Sequence, residues 1–240
     1  MNEPQAAPER PGLPWDAIAR VLFLRAGAEE IRLFGNRELA VGAVSCWIVG
    51  LGRWWDDPKA ELLQKLGLGS VVYPFALGAL IWLLFWPWRL THWRYKALVA
   101  YISLCAAPGL LYAVPVEMFL SGDAALSYNA VALSIVALWR VVLIMRYLLL
   151  APPLGFGLTM VATLIPVGAI AIGLTMFNVS TGVIEGMGGF RGSPKDAFAA
   201  QVGIMASILL FWPLVGAVLV HLGYTIKVWF WPKPPDQSPL

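Results

Sequence analysis

In GLGRWWDDP, residues 50–58, Arg53 stands three and four residues before Asp56 and Asp57. On a helix those spacings bring a guanidinium and two carboxylates to one face. Glu117 closes LYAVPVE behind Pro115, and Glu185 opens the glycine-rich EGMGGFRGSPKD. If the fold gathers these carboxylates around Arg53, the cluster binds a cation or a cationic substrate, or locks helices through ion pairs. The same residues also have uses without chemistry. Arg53 can snorkel to a membrane surface, Trp54 and Trp55 suit a headgroup belt, and Asp57 can cap a helix opened by Pro58.

Arg140 and Arg146 are the second group, in ALWRVVLIMRYLLL. A charge inside an apolar helix is costly and faces protein, water or the interface. Arg140 therefore either enters the bundle, snorkels to phosphate, or joins Trp139 in holding an anionic lipid headgroup. Arg146, six residues later, points from a different helical face. Catalytic and metal chemistry find little support. The two histidines, His92 and His221, stand far apart, and HExxH, GxSxG and a phosphate-binding glycine loop are absent from the sequence. Cys46 and Cys105 have no partner spacing and read as buried packing residues. No cofactor is implied, and a net charge of +3 is too small to suggest nucleic acid.

The elements that must position these residues are membrane helices. Charged residues make up 13% of the chain, against about 25% in ordinary soluble domains. Residues 68–86 and 97–116 carry no charge, nor do 147–184 or 197–226. A helix needs about 20 apolar residues to cross a bilayer core. The expectation is an all-α membrane protein, a bundle of about six transmembrane helices near 38–55, 68–87, 97–117, 125–149, 154–178 and 200–226. The first of these has only 14 uncharged residues in a row, so five crossings are the alternative. Residues 1–14 read as a polar, proline-rich tail without a secretory signal pattern, which leaves insertion to the internal spans. Residues 15–37 mix apolar side chains with charges, as in an amphipathic helix lying on the membrane surface or packed on the ends of the spans. The transmembrane domain is expected over 38–231, with 232–240 as a C-terminal tail. Trp86, Trp88 and Trp93, with Trp229 and Trp231, flank cations and read as interface anchors.

Orientation follows from the basic residues. With the N-terminus inside and six crossings, eleven of the 17 Lys and Arg fall on the inner side, five on the outer, and Arg140 within a span. That asymmetry puts both termini in the cytoplasm. GRWWDDP, LGLGSVVYPFALGALIWLLFWP, LYAVPVE and LWRVVLIMRYLL resemble segments of an uncharacterised group of bacterial multi-pass membrane proteins, over most of residues 50–150. The resemblance implies the bacterial inner membrane and carries no activity. Three function classes follow: a non-enzymatic scaffold or accessory subunit of a membrane complex, a small transporter or channel, and a lipid-modifying intramembrane enzyme. Mid-span positions are nearly all Leu, Val, Ala, Gly and Ile, no internal repeat is evident, and no nucleophile with a base is legible, which favours the first. Its expected partners are the bilayer, anionic lipid, and another membrane protein or a second copy.

Overall fold

The computed structural model describes residues 14–52, 62, 66–111, 113–120, 122–176 and 194–231. Every regular element among them is helical. In chain order these are α1 (Pro14–Leu22), α2 (Ala28–Arg32), α3 (Asn36–Leu51), α4 (Leu68–Phe85), α5 (Tyr95–Leu104), α6 (Gly122–Leu150), α7 (Phe156–Met176) and α8 (Pro194–Phe230). Short 3-10 turns cover Trp86–Trp88, Ala107–Leu111 and Val116–Met118. Among the described residues three stretches are long and apolar enough to cross a membrane: Leu68–Trp88, Ser127–Leu150 and Ile208–Phe230. Tyr95–Leu111 and Phe156–Ile172 are apolar but shorter.

The segment expected as one amphipathic helix over 15–37 is broken into α1, α2 and the start of α3. Val21, Ala26, Ile31 and Phe34 are all buried. At 100° per residue these four would spread over roughly 220° of a single helix, wider than one packing face. Breaking the helix lets each reach the core. Leu24 takes a left-handed φ of 59°, and Arg25 N–H returns to Arg20 O at 2.7 Å, so α1 closes in a Schellman arrangement. α3 begins behind Gly35, whose N–H donates to the Glu38 carboxylate at 2.8 Å.

α5 lies in the core. Residues 97–104 are buried without exception, so no side of this helix faces out. α3 and α4 pack against it, and Tyr101 Oη donates to Leu143 O of α6 at 3.0 Å. Glycines make the close crossings. A Cβ on Gly42 of α3 would stand 2.4 Å from Ser103 Cβ and 2.9 Å from its carbonyl carbon. Gly50 likewise meets Gly67, which adopts a left-handed φ of 68° just before α4. Small residues let helix backbones approach this closely in membrane proteins.

The third expected span, 97–117, is not one helix. α5 stops at Leu104, after about 15 Å at 1.5 Å per residue, half of a bilayer core. Pro108 is the physical reason: it has no N–H for the Leu104 carbonyl, and its ring would crowd that carbonyl. The chain continues instead as the 3-10 turn Ala107–Leu111.

Several loops and helix ends share one end of the molecule. Arg32 Nε donates to Ala151 O at 3.1 Å, and Arg94 Nη1 donates to Arg32 O at 3.2 Å. At the same end Trp229 Nε1 donates to Pro87 O at 3.1 Å. The starts of α3, α5 and α7 and the ends of α4, α6 and α8 therefore lie beside the N-terminal helices.

Candidate functional site: an arginine at a broken helix

A helix that ends inside a bundle leaves its last carbonyls without intrahelical partners. At the end of α5 several find other partners. Cys105 N–H reaches Tyr101 O and Ile102 O, both at 3.1 Å. Ser103 O accepts from Ala106 N–H at 3.1 Å and from Cys46 Sγ at 3.5 Å. Two carbonyls just past the helix end belong to Arg140. Its Nε donates to Cys105 O at 3.3 Å and its Nη2 to Ala106 O at 3.4 Å. The guanidinium also stands at the negative end of the α5 dipole, where a partly buried cation gains up to about 2 kcal/mol. Both donors are fixed by the planar fork, which a lysine lacks. Arg140 thus directs its guanidinium at main-chain carbonyls just past α5.

Arg146 likewise turns inward. Its Nη2 donates to Ala26 O at 3.2 Å, in the link between α1 and α2. Trp139 Nε1 donates to Leu22 O at 3.1 Å, and Arg32 Nη2 to Leu150 O at 3.3 Å. Two ion pairs, Arg20 with Glu30 and Arg32 with Glu29 at 2.7 Å, complete the clamp on the N-terminal helices. Four arginines, Arg32 on α2, Arg94 just before α5, and Arg140 and Arg146 on α6, therefore direct guanidinium donors at main-chain carbonyls rather than at a cavity.

An aromatic cluster fills the space beside them. Phe85 and Trp88 pack edge to face at 4.8 Å, and His221 of α8 lies 5.4 Å from Phe85 and 5.3 Å from Trp88. Tyr224 lies 4.8 Å from Trp88. Trp88, expected as an interface anchor, is instead only 2% exposed, because α8 covers it. Trp93 is half-buried, with Nε1 on Trp82 O at 3.1 Å. Trp86, Trp229 and Trp231 are exposed, as anchors would be.

Of the expected outer cluster, Arg53, Asp56, Asp57 and Glu185, with Trp54 and Trp55, lie outside the described residues. Glu117 is described only as backbone, in the 3-10 turn Val116–Met118. Cys46 and Cys105 are buried free thiols on either side of the α3–α5 crossing. Among the described residues no three His, Cys, Asp or Glu gather at metal-binding range. Three buried hydroxyls return to their own helices: Ser45 to Val41 O at 3.0 Å, Ser103 to Val99 O at 2.8 Å and Thr163 to Thr159 O at 2.9 Å.

Arg140 stands out in the sequence, but nothing there joins it to Pro108, a proline inside the uncharged window 97–116. Arg140 lies in the next expected span, 125–149. Their pairing depends on which depth of α6 faces the break. No protein-family model matches the chain, and neither curated proteins nor solved structures give a match.

Proposed function

We propose that this chain is a non-enzymatic scaffold or accessory subunit of a membrane complex. The observation that carries the reading is how the arginines are used. Arg32, Arg94, Arg140 and Arg146 each bond a main-chain carbonyl of another element, so these charges hold the frame. The buried hydroxyls that bond their own helices add no polar path through the bundle. In this proposal the chain crosses six times with both termini in the cytoplasm of a bacterium. Support comes from the basic asymmetry, the resemblance, and the helix ends that share the side of the N-terminal segment.

The test is extraction from native membranes in mild detergent, followed by native mass spectrometry. A defined stoichiometric assembly, with itself or with another membrane protein, is the expected result. A lone monomer under every mild condition would overturn it. The second reading, a small transporter, rests on one observation: the helix broken half-way at Cys105. Broken helices build ion and substrate sites near the bilayer midplane. Here Arg140 takes the position a transported cation would occupy at the helix end. Solute or ion flux in proteoliposomes that Arg140→Leu abolishes would establish the transporter reading instead.

A further inference from the structure

We propose that Arg89, held against Trp229, is the binding site for the phosphate of an anionic phospholipid headgroup. The connection WPWRLTH, residues 86–92, is shaped to present this arginine. The 3-10 turn Trp86–Trp88 sinks Trp88 into the aromatic cluster, so the next residue must emerge at the surface. Arg89 does so in a left-handed conformation, φ 49°, and closes the turn with its N–H on Trp86 O at 3.2 Å. His92 is left-handed too, at φ 57°. A non-glycine residue there costs about 1–2 kcal/mol, and such strain is held where the surroundings over-determine it.

The guanidinium carbon lies 4.4 Å from the centre of the Trp229 ring. That indole is itself fixed by its N–H bond to Pro87 O at 3.1 Å. A cation–π contact uses the face of the guanidinium and leaves its N–H edge outward. Arg89 makes no side-chain hydrogen bond or ion pair among the described residues, in contrast to Arg32, Arg94, Arg140 and Arg146. The acids on the N-terminal helices do not compete for it: Glu29 and Glu30 hold Arg32 and Arg20, and Glu38 holds the Gly35 N–H. The ligand that fits a fixed, planar, outward fork of N–H donors is a phosphate oxyanion.

Position selects the lipid over free phosphate. Trp86, Trp229 and Trp231 are 61%, 53% and 73% exposed around the site, and the apolar stretches Leu68–Trp88 and Ile208–Phe230 end at it. Exposed tryptophans at the ends of such stretches mark headgroup depth, where lipid phosphates lie. The proposal goes beyond the scaffold reading and stands or falls separately from it, since a transporter would carry the same site.

The experiment uses the full chain in detergent, titrated with phosphatidylglycerol, with phosphatidylcholine and with inorganic phosphate, read by native mass spectrometry of retained lipid. Variants are Arg89→Gln, Trp229→Leu, and Arg25→Gln as an exposed arginine with the same charge loss. Thermal melting confirms that each variant is folded, and Arg89→Lys replaces any that is not. Wild type should retain phosphatidylglycerol over phosphatidylcholine. Arg89→Gln and Trp229→Leu should each weaken that retention about tenfold, as loss of a charge-assisted hydrogen bond does, with Arg25→Gln unchanged. Arg89→Lys should fall between wild type and Arg89→Gln, because it keeps the charge without the fork. Equal losses in Arg89→Gln and Arg25→Gln would reduce the effect to general electrostatics and overturn the site. Displacement of lipid by millimolar inorganic phosphate would overturn the assignment to a headgroup.

Discussion

Tyr101 and Tyr147 pack ring against ring at 5.0 Å, yet their hydroxyls are placed differently. Tyr101 Oη donates to Leu143 O at 3.0 Å, whereas Tyr147 Oη is buried with no hydrogen bond among the described residues. A buried hydrogen bond contributes about 1 kcal/mol, and a buried polar atom without one costs about 1–3 kcal/mol. Tyr101→Phe should therefore lower stability by about 1 kcal/mol, and Tyr147→Phe should leave it unchanged or raise it by a similar amount. Equilibrium unfolding in mixed micelles checks both, and equal losses would contradict the assignment. Arg140 gives a second contrast. Arg140→Leu opens the Cys105 and Ala106 carbonyls, so it should destabilise by about 2–4 kcal/mol despite leucine's easier insertion. Arg140→Lys should recover only part, since one ammonium does not reproduce two fixed donors. Added anionic lipid should not rescue either variant, because Arg140 points at protein. Lipid rescue of Arg140→Leu would return the residue to the headgroup role.

Among the elements, α3 and α5 approach each other closely, and the approach depends on Gly42. A Cβ there meets Ser103 Cβ at 2.4 Å, the Ser103 carbonyl carbon at 2.9 Å and Leu104 N at 3.0 Å. The last two are backbone atoms and cannot turn aside. Gly42→Ala should thus force the helices apart and cost about 1–3 kcal/mol, the usual range for overpacking. Ser103→Gly removes one of the three contacts, so the double variant should regain part of the loss and no more. A melting series of the two single variants and the double variant reads this directly. Strict additivity would show that the two helices do not touch at these positions. The break in α5 has the same origin in packing. A helix buried on every side has no water to satisfy its open end, so α3 and α6 must bring the partners, and Cys46 and Arg140 are those partners.

For the whole molecule the testable quantity is sidedness. The N-terminal helices, the 86–94 connection, the turn after α6 and Trp229 share one end through the bonds of Arg32, Arg94 and Trp229. Reporter fusions at Lys233 and within 185–196 should then report opposite sides, with Lys233 cytoplasmic. Signals from the same side would refute six crossings. The clamp on the N-terminal helices also makes residues 20–34 part of the folded body.

Local chemistry made much of this legible from the sequence. Long uncharged windows read as apolar helices because hydropathy and length are properties of the segment itself. Gly67 stands just before α4 in a left-handed conformation that glycine takes at little cost. The amphipathic stretch over 15–37 was visible as a mixture of charges and apolar residues. Its division was not, because Val21, Ala26, Ile31 and Phe34 reach a core built by α5 and α6. Trp88 and Trp229 look alike in sequence, each beside a proline or a cation at the end of an apolar run. α8 covers the first and leaves the second exposed to hold Arg89. Pro108 declared that a helix would be disturbed, but only the neighbouring depth of α6 decided that Arg140 would close it. Composition and periodicity act along the chain and survive without neighbours. Burial, and the choice of a partner for each buried charge, belong to elements that meet only in three dimensions.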